Sequence, residues 1–288
     1  MTSKTSGLFC LHSAVLLFAI AGLFGKWLAI PAFVIVIGRA GFAAIALSAF
    51  LSVKKGYFLR DYKLKHLSAF FASGALLAVH WTTFFYSIQV SSVAIGLITF
   101  ATFPLFVSFL EPLLFKERFR LQTVIQALLI MLGVSLVVPV GNFDERVASG
   151  IIWGSVSAFT FALLTLYNRK VVSTESAAQL ACLQNGFAAI CLLPFLCFVE
   201  FEMSSVDWLL LVILGVIFTA LSHTLYNFSL KAVTGQLASI AVSLEPVYGI
   251  IAAYFFIGEP LTLSIAVGCA IVIGTNFWAS KQAIKIES

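Results

Sequence analysis

Pro104-Leu-Phe-Val-Ser-Phe-Leu-Glu-Pro-Leu-Leu-Phe-Lys-Glu117 and Pro246-Val-Tyr-Gly-Ile-Ile-Ala-Ala-Tyr-Phe-Phe-Ile-Gly-Glu259 decide the reading of this chain. In each stretch a proline is followed thirteen residues later by a glutamate, across an apolar run of helix length. The second copy begins 142 residues after the first, about half of the 288-residue chain. At the same offset Ser87 falls on Ser229, Ile98 on Ile240 and Leu121 on Leu263. Identity between the halves is low, but their hydropathy patterns agree. A repeat of this kind within a chain of many membrane spans points to a secondary transporter. Its site is expected near mid-membrane, between the repeats.

Composition supports the membrane reading. The chain is 61% hydrophobic with 10% charged residues, and its mean hydropathy is +1.07. A water-soluble domain has no use for so much apolar surface. The net charge of +5 does not indicate a nucleic-acid partner. Its basic residues fall in short segments between apolar runs, where they set orientation in a bilayer. The five cysteines (Cys10, Cys182, Cys191, Cys197 and Cys269) lie in apolar stretches without CxxC spacing. They read as small apolar fillers.

Ten apolar runs approach the length of roughly 20 residues that a bilayer requires. They cover 8–28, 32–53, 67–88, 93–115, 121–139, 147–170, 177–199, 207–229, 235–257 and 261–281. Ala19-Ile-Ala21 imitates a signal-peptidase site, but the first run continues to Trp27 and is read as a span. All ten are expected to be helices, because an open strand leaves its backbone unsatisfied in lipid. Breaks are marked by Pro31, Lys54-Lys55-Gly56, Gly141-Asn142 and Thr234-Gly235.

With the N-terminus inside, fourteen of the seventeen basic residues fall on inner segments. The positive-inside rule then places both termini in the cytoplasm. Five spans per half is an odd number, so the second half enters the membrane from the opposite face. The expected fold is an all-α integral membrane protein with ten transmembrane helices in two inverted five-helix repeats. Such pseudo-symmetry gives alternating access a physical basis, because the halves can exchange conformations.

Several local sequences carry a family resemblance. They are His80-Trp81, Ser91-Ser92-Val93-Ala94, Pro104-Leu105 with Lys116-Glu117-Arg118, and Ser222-His223-Thr224-Leu225-Tyr226-Asn227. Ser243-Leu-Glu245-Pro246-Val247 and Gly258-Glu259-Pro260 complete the set. With them the chain resembles the drug/metabolite transporter superfamily, and within it the ten-span proteins with two EamA-type repeats. The resemblance implies repeats over 1–140 and 141–288, a location in the inner (plasma) membrane, and a central cavity ringed by spans 1–4 and 6–9. Similar proteins include exporters of amino acids and related metabolites, and other members move quite different solutes. One departure is visible: Phe103 occupies the position that matches Glu245.

Glu245 is the foremost candidate for binding or proton coupling. It lies near the middle of span 9, where an ionised side chain is costly and should face a cavity or a partner. A hydrogen-bonded glutamate that fixes helix packing is the structural reading. Pro246 beside it removes a backbone donor and can free a carbonyl near the cavity. His80 and His223 lie inside spans 3 and 8. Each is a candidate for substrate or proton handling, or for interhelical hydrogen bonding. Tyr226 and Asn227 share a face with His223, and Trp81 and Tyr248 add aromatic surface near these polar positions. An aromatic pocket suits an amphipathic or cationic solute. Arg39 is placed to pair with Glu245 or to bind a substrate carboxylate, with snorkelling or a structural ion pair as the alternative. Lys26 reads as a snorkelling residue. Glu111 is expected to pair with basic residues near the inner surface. Glu117 and Glu259 open spans 5 and 10, where an acidic group complements the helix dipole. Gly133 and Gly274 are expected to let those two spans pack closely.

No metal is expected, since two histidines and a glutamate without i,i+4 spacing make a poor ligand set. No cofactor is expected either. The chain lacks a GxxxxGKS/T sequence, which argues against ATP coupling within it. The leading reading is a secondary transporter of small organic metabolites such as amino acids, an exporter in direction, with the lipid bilayer and a small-molecule substrate as its partners. A membrane enzyme using a histidine as base is a competing class, but its acids and histidines would cluster near an interface. A channel would favour rings of equivalent residues. A lipid-carrier flippase also fits the pattern. The oligomeric state is open, a homodimer included.

Overall fold

A computed structural model describes residues 4–53, 64–116, 121–136, 144–171, 176–258 and 262–285. Glu117, Glu259, Gly141, Asn142 and the basic residues Lys54, Lys55, Arg60, Lys63, Arg118 and Arg120 lie outside the described residues.

Every regular element among the described residues is helical. In chain order they are α1 (Lys4–Trp27), α2 (Ala32–Val53), α3 (Leu64–Val90), α4 (Val93–Phe100), α5 (Phe103–Phe115) and α6 (Leu121–Ser135). The second half holds α7 (Glu145–Val171), α8 (Ala177–Leu192), α9 (Ser205–Gly215), α10 (Ser222–Ser229), α11 (Gly235–Val242), α12 (Glu245–Ile257) and α13 (Leu263–Lys285). A 3₁₀ turn over Leu193–Phe198 follows α8, and a π-helical turn over Val216–Leu221 joins α9 to α10. Among the described residues, seven helical runs are long and apolar enough to cross a membrane. Phe103–Phe115, Leu121–Gly133 and Ala266–Thr275 are shorter apolar helices. Phe9, Leu113, Phe255 and Leu263 are mostly exposed, as side chains facing lipid would be.

The 142-residue offset reappears in the backbone. The α4 and α11 helices begin and end at equivalent positions, and so do α5 and α12. Both pairs are interrupted by a two-residue turn, at 101–102 and at 243–244. Pro104 and Pro246 follow these turns in the first turn of the next helix, where a missing N–H costs nothing. The starts are capped alike: Ser92 Oγ accepts from Ile95 N at 3.1 Å, and Thr234 Oγ1 accepts from Leu237 N at 3.2 Å. The ends are alike as well, with Lys116 (φ 54°) and Gly258 (φ 77°) both left-handed.

Reciprocal contacts tie the halves together. A Cβ on Gly74 of α3 would lie 2.5 Å from Phe187 Cβ and 3.0 Å from the Gln184 carbonyl oxygen of α8. A Cβ on Gly215 of α9 would lie 2.5 Å from Phe42 Cβ and 2.9 Å from the Arg39 carbonyl oxygen of α2. Each glycine therefore admits the backbone of the opposite half. Gly133 does the same between α6 and α13, where a Cβ would lie 2.8 Å from the Gly268 carbonyl oxygen. Gly274 faces open space and makes no such contact.

Gly215 stands 141 residues after Gly74, whereas Ser229 stands 142 after Ser87. The π turn between Gly215 and Ser229 accounts for the extra residue. His80 and His223 are 143 residues apart, so they still miss each other by one in the register beyond the turn. The counterpart of His223 is Trp81, and that of His80 is Ser222.

Candidate functional site

The broken helices α4–α5 and α11–α12 meet α1, α2, α3, α7 and α10 around a central cavity. Its polar lining is Arg39, His80, His223 and Glu245. Its walls are Phe18, Trp81, Phe84, Phe100 and Phe161, with Ala21 and Leu77. The volume of the cavity is about 30 Å³. One water needs roughly 10–15 Å³ of such volume. This conformation therefore has room for a few waters, and an organic solute requires the helices to part.

Glu245 opens α12, where the positive end of the helix dipole favours a carboxylate. Its side chain is buried and accepts no hydrogen bond from any described residue. Burying an ionised carboxylate without a donor is expensive, so this position favours either a bound proton or a cationic partner in the cavity. Arg39 is buried opposite, on α2. It makes no direct ion pair with Glu245 among the described residues. Instead its Nε donates to Thr219 Oγ1 at 3.0 Å, and its Cζ lies 4.0 Å from the centre of the Trp81 ring. Phe85 lies on the same guanidinium at 5.2 Å. Thr219 is available because of the π turn: its hydroxyl donates to the Leu214 carbonyl at 2.7 Å, five residues back, and keeps its lone pairs for Arg39. One guanidinium edge is thus fixed, and the terminal N–H groups remain to serve an anion.

The two histidines are held differently. His80 Nδ1 lies 3.0 Å from the Ser157 carbonyl oxygen and 2.8 Å from its hydroxyl. A carbonyl can only accept, so Nδ1 carries the proton and Nε2 of the neutral ring is an acceptor. The ring stacks on Phe161 at 4.6 Å. His223 Nδ1 faces the Asn185 side-chain nitrogen at 3.1 Å, which also donates to the Ala181 carbonyl. This makes Nδ1 of His223 the acceptor and Nε2–H a donor, and Nε2 is buried without a partner.

The structure therefore brings Glu245, Arg39, His80, His223 and Trp81 to one cavity. Tyr226, Asn227 and Tyr248 do not line it. Tyr226 lies behind the wall: its hydroxyl bonds Thr165 at 2.8 Å, and its ring packs on Phe18 and Phe161. Asn227 accepts from Asn168 at 2.9 Å, and Asn168 accepts from Gln184 at 2.6 Å. This buried amide chain crosses α10, α7 and α8 and had no signature in the sequence. Tyr248 is half-buried, one turn into α12. Among the described residues no three His, Cys, Asp or Glu side chains converge as a metal site would need.

Polarity is not matched position by position between the halves. At the 142 offset Glu245, His223, Tyr226 and Asn227 correspond to Phe103, Trp81, Phe84 and Phe85. Each half gives the cavity two polar side chains, Arg39 and His80 from the first and His223 and Glu245 from the second, while four of its five aromatic rings come from the first.

Comparison with known proteins agrees with this architecture. The EamA-like transporter family matches residues 5–138 and again 148–280. The uncharacterized transporter YxxF of Bacillus subtilis is 25% identical over 259 residues, spanning 88% of this chain and 83% of its own length. An uncharacterized transporter of Archaeoglobus fulgidus is 28% identical over 187 residues, spanning 65% of this chain and 67% of its own. A solved crystal structure shares the fold with a TM-score of 0.80 at 18% identity, covering 100% of this chain and 99% of that one. Matched twice along nearly its whole length, this multi-span membrane protein belongs to the EamA-like transporters of the drug/metabolite transporter superfamily.

Proposed function

We propose that the chain is a secondary active exporter of small zwitterionic or amine-bearing metabolites, amino acids among them. The observation that carries this is a Glu245 carboxyl without a hydrogen-bond donor among the described residues and an Arg39 guanidinium held by its Nε alone, both facing one aromatic cavity. A substrate ammonium would take the place of the missing donor at Glu245. A substrate carboxylate would fit the free N–H groups of Arg39, and an apolar side chain would lie against Phe100 and Phe161.

Transport proceeds in this reading by alternating access. The ten helical segments form two inverted five-helix repeats, over 1–140 and 141–288, in the plasma membrane with both termini in the cytoplasm. The glycine contacts at Gly74 and Gly215 are reciprocal, so the halves can exchange roles by rocking. Glu245 is the proton-coupling group: it alternates between holding a proton and holding the substrate ammonium.

The test is uptake into proteoliposomes of a pooled panel of radiolabelled amino acids and amines, with and without a pH gradient. Saturable uptake that is competed by unlabelled solute and driven by the gradient supports the reading. No uptake from either solute class would remove it and favour a lipid carrier.

A further inference from the structure

A buried carboxylate outside the cavity has no role in the account so far. Glu111 of α5 is fully buried at the end of the molecule where α5 and α7 finish and α11 begins. Its Oε1 accepts from Gly235 N at 2.6 Å and from Arg169 Nη1 at 2.6 Å. Its Oε2 accepts from Gln236 N at 2.7 Å. Gly235 and Gln236 are the first two residues of α11, so the carboxylate answers two free helix N–H groups and the helix dipole together. A Cβ on Gly235 would lie 2.6 Å from Glu111 Oε1, and glycine is what allows the approach. Arg169 also covers the Phe115 ring, 4.4 Å from its centre. One side chain of the first half thereby pins two helices of the second.

Among the described residues the second half has no carboxylate at the position equivalent to Glu111. Ala253 stands 142 residues after Glu111, Trp27 stands 142 before Arg169, and Lys26 is the basic residue in the last turn of α1. Lys26 donates to the Ser91 carbonyl at 3.2 Å from an exposed position. Three charge-assisted hydrogen bonds to one buried carboxylate make a strong tie between the halves. The helix that Glu111 holds is also the one that leads to the cavity. Gly235 begins α11, and Glu245 follows its far end, about 15 Å away at 1.5 Å per residue.

We propose that Glu111, with Arg169 and the α11 N-terminus, is the latch of one of the two gates and biases the resting protein toward closure at that end. Substrate or proton arriving at Glu245 shifts α11 and loosens the latch. This inference rests on the alternating-access reading, and its test reads conformation rather than transport.

The experiment is hydrogen exchange by mass spectrometry on the full chain in lipid nanodiscs, for wild type, Glu111→Gln, Arg169→Lys and Lys26→Ala. Glu111→Gln should raise exchange over 235–238 about tenfold, the effect of losing charge-assisted bonds, and should lower it over 91–96. Arg169→Lys, which leaves the helix cap in place, should shift both regions in the same directions by less. It carries the test if Glu111→Gln fails to fold. Lys26→Ala should do the reverse. A rise over 235–238 with no fall over 91–96 in either latch variant would make Glu111 a helix cap only and overturn the latch. Reciprocal change in Lys26→Ala but not in the latch variants would overturn the latch and keep the rocking. Absence of reciprocal change in all three variants would overturn both.

Discussion

The broken helix of the first half, α4–α5, and that of the second, α11–α12, have the same start, the same break, the same proline and the same left-handed end. At the residue after the break one carries Phe103 and the other Glu245. The difference shows that the symmetry is in the backbone and the chemistry is not. In the proposed transport cycle the two halves rock, and the single cavity carboxylate is the coupling group exposed alternately to each side. Phe103 does not line the cavity; its ring packs behind Phe100 and Phe161.

Removing the asymmetry should have the largest effect. Glu245→Phe makes the second half copy the first, and uptake should fall more than about a hundredfold, because no group remains to pair with a buried ammonium. Folding, judged by gel filtration in detergent, should survive, since the side chain faces a cavity. Arg39→Lys should come next. A lysine cannot both reach Thr219 and lie flat on Trp81, and a loss of about tenfold in kcat/KM is expected, mostly in KM. Thr219→Val should cost about three- to tenfold, because it removes the acceptor that aims Arg39.

The backbone symmetry can be tested separately. Gly74→Ala and Gly215→Ala each drive a methyl to 2.5 Å from an opposing Cβ. Overpacking of this kind costs about 1–3 kcal/mol, less the roughly 1 kcal/mol by which alanine is the better helix former. Both variants should lower the Tm by similar, small amounts. A large drop in one and none in the other would show that the two contacts are not equivalent.

Much of this was legible in the sequence. Spacing showed an all-helical membrane protein, because a bilayer requires long apolar helices, but not the breaks that divide 93–115 and 235–257 into two helices each. Glu245 and Arg39 stood out as ionisable residues within apolar runs, a placement that lipid penalises. The π turn was not legible, because Val216–Leu221 has no residue that marks such a turn. Twenty-nine phenylalanines gave no means of choosing Phe18, Phe84, Phe100 and Phe161 as the wall. Tyr226 and Asn227 share a helical face with His223, yet a face is broad enough to touch both a cavity and a neighbouring helix. Glu111 was read as a partner for basic residues near its end of the span. Its bonds to Gly235 and Gln236 join positions 124 and 125 apart in sequence, beyond any local pattern.

The most direct measurement compares wild type and Glu245→Gln in the same proteoliposomes, once a transported solute is in hand. Net uptake against a pH gradient is read beside substrate exchange at equilibrium. The account predicts that Glu245→Gln loses the gradient response and retains exchange, at lower affinity. An undiminished response to the gradient in Glu245→Gln would contradict it and move the coupling away from the cavity.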